Sequence, residues 1–218
     1  MESTTTKVRV VFNASSSTSN VVSLNDVLYT GPFLQTDLIL LLHKWRLFKY
    51  VFNADIQKMS RQILVAPEHR TFQRILFRPD LNSDVKDYQL NTVTFGVNCA
   101  PYLAIRTMLQ IAKDCENRYP IASHILVKNM YVDDILVGFH SIDEALKAKT
   151  ELRKATSSAG FELRKWTSNH KMILADLPSD HLLHKDFLKF DDNSVAKTLG
   201  IRWNALTDVF TSQLSLSA

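Results

Sequence analysis

Apolar positions along this chain switch between a period near two and a period near 3.6, and the switches mark its elements. Lys7 to Asn13 clusters and alternates β-forming residues around Lys7 and Arg9, which predicts a strand; Ser15 to Asn20 then reads as a polar loop. Gly31-Pro32 punctuates the approach to a helix over Phe33 to Phe48. There Leu34, Leu38, Leu41, Leu42 and Trp45 form one stripe for burial, while His43, Lys44 and Arg46 face solvent. Lys49 to Ala54 predicts a second strand that delivers Asp55 at its end. Ile56, Met59, Ile63 and Leu64 follow at helical spacing and place Asp55 at a strand-to-helix junction. Thr71 to Arg78 and Tyr88 to Phe95 predict two more strands across the polar turn Pro79 to Asp87.

In the second half, Gly96 to Pro101 reads as a loop, and Pro101 suits the first turn of a helix over about 100–117 that offers Ile105, Met108, Leu109 and Ala112 for burial. The apolar runs Ile125 to Val132 and Ile135 to Val137 enclose Asp133-Asp134, which predicts a tight hairpin with both carboxylates in its turn. Ser141-Ile142-Asp143-Glu144 has capping-box form and opens a helix that stops at Gly160. Phe161 to Trp166 predicts a strand bearing Arg164 and Lys165, and Asn169 to Ser194 reads as irregular or weakly helical. Thr198 to Trp203 and Asp208 to Thr211 make a last hairpin around Asn204 to Thr207.

Composition narrows the function classes only modestly. The 218 residues, 45% of them hydrophobic, suffice for a sizeable core in one globular unit with room for a smaller lobe. A net charge of +4 permits a polyanionic partner without requiring one. Cys99 and Cys115 are too few for a disulfide framework and read as small buried hydrophobes in a reducing compartment. Met1 to Thr6 is polar, Val8 to Phe12 is short and interrupted by Arg9, and Leu38 to Leu42 is too short to span a bilayer. The expectation is a soluble, intracellular protein with no membrane partner.

Candidate chemistry rests on carboxylates. An Asp-Asp hairpin turn forgoes the easy positive φ of Asn-Gly or Asp-Gly, and adjacent carboxylates repel unless a hard cation such as magnesium lies beside them. Taken alone, Tyr131-Val132-Asp133-Asp134 reads equally as a solvated acidic turn, and Asp55 taken alone reads as a helix N-cap. Asp55 and Asp133 nevertheless both end predicted strands, and strands of one sheet can bring their tips together. Three carboxylates sharing a site would meet the need of two-metal phosphoryl transfer, with ions ~4 Å apart.

Several segments, in order, carry a resemblance. Asn53-Ala54-Asp55-Ile56-Gln57-Lys58-Met59 looks like a first metal motif, Val93 to Pro101 (VTFGVNCAP) a template and nucleotide loop, and Tyr131 to Asp134 a YxDD box. Ala159 to Asn169 (AGFELRKWTSN) and Thr198-Leu199-Gly200-Ile201 are similar to the following motif and to a primer grip. From about Lys7 to Phe210 the chain resembles a reverse transcriptase, most closely the polymerase of BEL/Pao-type LTR retrotransposons. The resemblance implies an α+β fold: a right-hand polymerase palm, an antiparallel sheet backed by helices, with partial fingers and no thumb. About 1–50 and 65–95 would be fingers-like, about 50–64 and 96–195 palm, and 196–211 the primer-grip hairpin with Leu199 and Gly200.

The implied activity is RNA-directed DNA polymerase: attack of a primer 3′-hydroxyl on the α-phosphate of a dNTP, on an RNA or DNA template, with two Mg2+ ions or Mn2+ in their place. By resemblance Asp55 and Asp133 are metal ligands with Asp134 assisting, the Ile56 carbonyl helps hold the nucleotide-bound ion, and Phe95 and Gly96 border the nascent base pair. Lys165 is a candidate proton donor to pyrophosphate, and Lys7 or Arg9 a candidate triphosphate contact; each of the three also reads as a solvated strand charge. Ser60, five residues after Asp55, stands where the family usually has Phe or Tyr, which implies weakened exclusion of ribonucleotides. The rest of a Pol polyprotein (protease, RNase H, integrase) would be the expected partner, and a cytoplasmic retroelement particle the expected location. The alternative is a truncated, inactive remnant that at most binds nucleic acid. His181 and His184 have i, i+3 spacing but no third ligand, and read as surface histidines.

Overall fold

A computed structural model describes residues 11–183, 195–198, 201–205 and 207–211. In chain order the elements are α1 (Leu24–Val27), α2 (Leu38–Arg46), β1 (Tyr50–Ile56), β2 (Arg74–Phe77), β3 (Lys86–Gln89), α3 (Ala100–Cys115), α4 (Pro120–Lys128), β4 (Met130–Tyr131), β5 (Asp134–Phe139), α5 (Ile142–Ser158), β6 (Leu163–Ser168), α6 (Lys171–Leu174), β7 (Val195–Thr198), β8 (Ile201–Asn204) and β9 (Val209–Thr211). Short 3-10 turns stand at Met59–Gln62, Pro67–Phe72 and Ser179–His181. The chain divides into two compact units, one within Met1–Leu34 and Lys58–Thr107, the other within Gln35–Gln57 and Met108–Ala218.

The second unit is built on an antiparallel sheet in the order β4-β5-β1-β6. Val51 to Ala54 in β1 and Ile135 to Gly138 in β5 are buried without alternation, so both faces of the central strands are covered. Helix α5 packs on β1 and β5 through Ala145, Ala148, Leu152 and Ala155, and α4 packs on α5. Helix α2 also lies against β5: Leu41 and Trp45 are buried, and the Trp45 indole N–H donates to the Val137 carbonyl at 3.1 Å. Gly138 leaves the space that Phe48 fills, since a Cβ there would come within 2.5 Å of the ring. A three-stranded sheet in the order β7-β8-β9 supplies Trp203, whose ring meets Trp45 edge-on at 4.5 Å.

In the first unit, Ala14, Val93, Val97 and Ala100 form a small core joined by Phe12, Leu24, Ile63 and Leu103. Its sheet is a two-stranded hairpin of β2 and β3, tied across the strands by Arg74 and Asp87 at 2.7 Å.

Several sequence expectations hold. The capping box at Ser141 and Glu144 is formed, α5 runs to Ser158, and Gly160 takes a left-handed φ of +83°. Helix α2 is shorter than expected because Asp37 caps it, accepting from the Leu40 N–H at 2.9 Å, but its stripe and its solvent-facing His43, Lys44 and Arg46 are as read. Others are corrected. Asp55 lies within β1, and the strand gives way to a 3-10 turn entered through left-handed Lys58, so Asp55 is neither at a strand-to-helix junction nor an N-cap. Ile125 to Lys128 ends helix α4, which Pro120 opens at its first turn; only Met130 and Tyr131 before the acidic pair are extended. Residues 11–13 belong to no strand, and Lys7 and Arg9 lie outside the described residues, as do His184, Leu199 and Gly200. Cys115 is buried and Cys99 partly so, both as free thiols. Among the described residues no helix is long and apolar enough to cross a membrane.

Candidate active site

Sheet register brings the acidic residues together. Pairing of β1 with β5 sets Asp55 directly opposite Asp134, and like charges facing each other across strands are destabilising. The β4–β5 hairpin pairs Tyr131 with Asp134, which leaves Val132 and Asp133 as its two loop residues. Asp134 therefore opens β5 rather than lying in the turn. The Asp133 carbonyl accepts the Ile56 N–H at 2.8 Å, tying the loop to the end of β1.

The loop is strained at Val132, whose φ of +54° is a rare conformation for a β-branched side chain. Its N–H donates to the Gln35 side-chain carbonyl at 3.2 Å. Asn129 closes the other end, its amide donating to the Leu136 carbonyl at 3.2 Å while its own carbonyl accepts the Leu136 N–H at 2.9 Å. Strain persists where the surroundings over-determine the backbone, and here the sheet and these bonds do so.

A second strained residue lies on the other side of β1. The pairing of β1 with β6 runs Asn53 to Thr167 and then Asp55 to Arg164, so Lys165 and Trp166 together face Ala54 in a bulge. Lys165 adopts φ +53°, and its ammonium contacts the Asp55 carboxylate, Nζ to Oδ2, at 2.8 Å. Arg164 is engaged elsewhere, with Asp180 at 2.5 Å and Glu162 at 3.0 Å. Burial pushes the Asp134 carboxyl up to about 7, and the charges of Asp133 and Asp55 push the same way against the weaker opposing pull of Lys165.

Asp55, Asp133, Asp134 and Lys165 thus form one cluster. The donor set is all oxygen, crowded and mutually repelling, which suits a hard divalent cation such as Mg2+. As the side chains stand, with Lys165 on Asp55, no group of three His, Cys, Asp or Glu among the described residues is drawn together to hold an ion. His181 is placed on Glu162 at 3.2 Å instead of at a metal site.

A family model for reverse transcriptase (RNA-dependent DNA polymerase) matches residues 15–175, which span the cluster and most of both units. The chain belongs to the reverse transcriptase family. Comparison with curated proteins gives no match. The antiparallel sheet backed by helices is compatible with the palm of such a polymerase. Template, primer and dNTPs are the substrates the family implies, and divalent metals its general cofactor.

Of the other expected residues of this reverse transcriptase, Ser60, Phe95 and Gly96 belong to the first unit. Ser60 is buried in the Met59–Gln62 turn, its carbonyl accepting the Ile63 N–H at 3.2 Å. Phe95 is exposed and its carbonyl accepts the Phe12 N–H at 2.9 Å. Gly96 has φ +106°, and a Cβ there would lie 1.8 Å from the Phe12 carbonyl oxygen, so only glycine fits.

Asn25 escapes a reading of the sequence alone. Its amide donates to the Gly96 carbonyl at 3.0 Å and to Ser15 Oγ at 2.7 Å, and its side-chain oxygen accepts the Asn98 N–H at 2.9 Å. Asn98 returns a bond to the Asn25 backbone carbonyl at 3.3 Å. The one available signal is the Ser23 to Asp26 capping box, which fixes α1 and with it Asn25.

Proposed function

We propose that this chain is the RNA-directed DNA polymerase domain of a BEL/Pao-type LTR retrotransposon, working by two-metal nucleotidyl transfer with the rest of a Pol polyprotein as its partner. The observation that carries the reading is the pairing of Asp55 with Asp134 beside Asp133 in a chain of the reverse transcriptase family. Asp55 and Asp133 would hold Mg2+, or Mn2+ in its place, with Asp134 and the Ile56 carbonyl assisting. Bound there, the metal supplies the positive charge that activates the primer 3′-hydroxyl and neutralises the charge developing on the α-phosphate. The sheet's contribution is positioning, because Asp55 and Asp134 sit on paired strands and the loop residue Asp133 is tied to the end of β1.

Lys165, on β6 beside Asp55, would pass a proton to the leaving pyrophosphate once its ammonium is free of that carboxylate. Phe95 and Gly96 would border the nascent base pair and template, on a loop held close to Phe12. Ser60 would leave space near the sugar, so ribonucleotides would be excluded weakly; a strong dNTP preference in paired kinetics would contradict that. Lys7 or Arg9 would meet the triphosphate, and Leu199 with Gly200 would touch the primer. The test is extension of a DNA primer on an RNA template, with and without Mg2+, by the native chain and by Asp133→Asn. Metal-dependent extension that falls by about 10²-fold or more in the variant is expected. Equal extension by both would remove Asp133 from the mechanism.

A further inference from the structure

Among the described residues, Lys165 places a positive charge on the acidic cluster. Of the two basic residues beside Asp55 on β6, Arg164 is the cross-strand partner by register, yet its guanidinium is taken by Asp180 and Glu162. Lys165 reaches Asp55 from a bulge in the strand with its backbone turned left-handed, a conformation that is unfavourable for an ordinary residue. Trp166, the other residue of the bulge, anchors it: it is buried, and its indole N–H donates to the Leu163 carbonyl at 3.1 Å. A strained residue aimed by a buttressed bulge at one carboxylate is a built arrangement, and a chance surface pair would not need it.

The partners are unequal in a way that suits exchange. Asp55 is largely buried, with 15% of its side chain exposed, whereas 42% of Lys165 is exposed and its flexible stem has room to swing outward. A lysine ammonium is a compact, well-hydrated point charge, easier to release to water than a guanidinium locked in a fork. While it stays on Oδ2 of Asp55 it also relieves the repulsion between Asp55, Asp133 and Asp134.

We propose that Lys165 is a resident counter-cation, a positioning residue that holds Asp55 in the metal-free chain and must leave that carboxylate when a divalent ion binds. The inference rests on the reading of Asp55, Asp133 and Asp134 as the metal site, and it adds a coupling: ion arrival and release of the Lys165 ammonium are one exchange. Lys165 therefore opposes metal binding while supporting the metal-free fold.

The experiment is a Mn2+ titration of the full chain, following free Mn2+ by EPR, together with melting in EDTA. Lys165→Gln is expected to bind Mn2+ about three- to tenfold tighter than the native chain, and to melt lower in EDTA with a larger rise on adding Mn2+. Lys165→Arg, which keeps the charge, should bind Mn2+ no tighter than the native chain. Lys165→Met is the second uncharged variant should the glutamine fail to fold, and it should behave as the glutamine does. Equal or weaker Mn2+ binding by a folded uncharged variant, with binding still abolished by Asp133→Asn, overturns the counter-cation role and leaves the metal site standing. Mn2+ binding that Asp133→Asn does not change overturns the metal site and the inference with it.

Discussion

Two antiparallel pairings in this chain, β1 with β5 and β2 with β3, obey the same hydrogen-bonding rule and end in opposite conditions. In the first, four consecutive residues of each strand are buried and helices α5 and α2 press on β5. In the second, every residue of β3 is exposed and three of four in β2, so the hairpin rests on its own ladder, on Arg74 with Asp87, and on the edge contact of Phe77 with Tyr88. Asp55, Asp133 and Asp134, and the two strained residues Val132 and Lys165 next to them, stand on or beside the first pairing. A backbone can hold unfavourable dihedrals only where packing and register leave it no alternative, and a two-stranded ladder in water is marginal on its own.

The largest expected effect separates the two pairings by stability. Phe52, fully buried in β1 between Phe139 and Trp166, should cost about 3–5 kcal/mol as Phe52→Ala, a fall in melting temperature on the order of 10 °C. Comparable losses from Phe52→Ala and from Phe77→Ala, at a residue that is 53% exposed, would break the comparison.

Next is a gain of stability. Burial and its acidic neighbours hold the Asp134 carboxyl at about 7 against an ordinary 3.8, so the folded chain binds a proton that the unfolded chain releases. The contribution of this group is favourable below pH 4 and is lost as pH rises toward and through 7. Asp134→Asn should therefore leave stability at pH 4 nearly unchanged and raise it at pH 8 by on the order of 3 kcal/mol. Denaturant melts of both proteins across that range check the sign; a variant less stable at pH 8 would show that the carboxylate is held by favourable bonds rather than crowded.

Legibility in the sequence divides along the same line. Local signals read true: the Ser141 capping box, the Gly160 stop, and the apolar stripe of α2. The acidic pair reads as a hairpin, but the pattern sets the turn one residue late, since nothing local says that Val132 will accept a positive φ; the opposed strands impose it. Ile125 to Val132 reads as extended because a short apolar run has no period of its own, and Pro120 at the helix start is the clue that outweighs it. Helix-like spacing after Asp55 misleads for a tertiary reason: Leu64, a supposed stripe residue, is 69% exposed and pairs in an isolated bridge with Thr92. The Lys165 bulge and the Asn25 bonds join residues distant in sequence, so no window of sequence contains them.

A smaller effect tests whether the loop after Val93 is positioned or merely folded. Asn25→Ala removes three side-chain bonds, two of them to Gly96 and Asn98, and should cost about 1–3 kcal/mol. If the loop meets the nucleotide, KM for dNTP should rise several-fold while kcat changes less. A uniform fall in kcat with KM unchanged would confine Asn25 to stability.

The smallest effect is expected on the β2–β3 hairpin. Arg74 and Asp87 are both about half exposed, and such a pair contributes about 0–1 kcal/mol, less as salt screens it. Arg74→Ala should thus lower the melting temperature by no more than about 2–4 °C, and the difference from native should shrink in 1 M NaCl. A larger, salt-independent loss would mean that the hairpin is held by its apolar contacts working together with this pair. Phe77 and Tyr88 would then belong to a packed element, and its freedom from the core, on which the contrast with the carboxylate-bearing strands depends, would have to be given up.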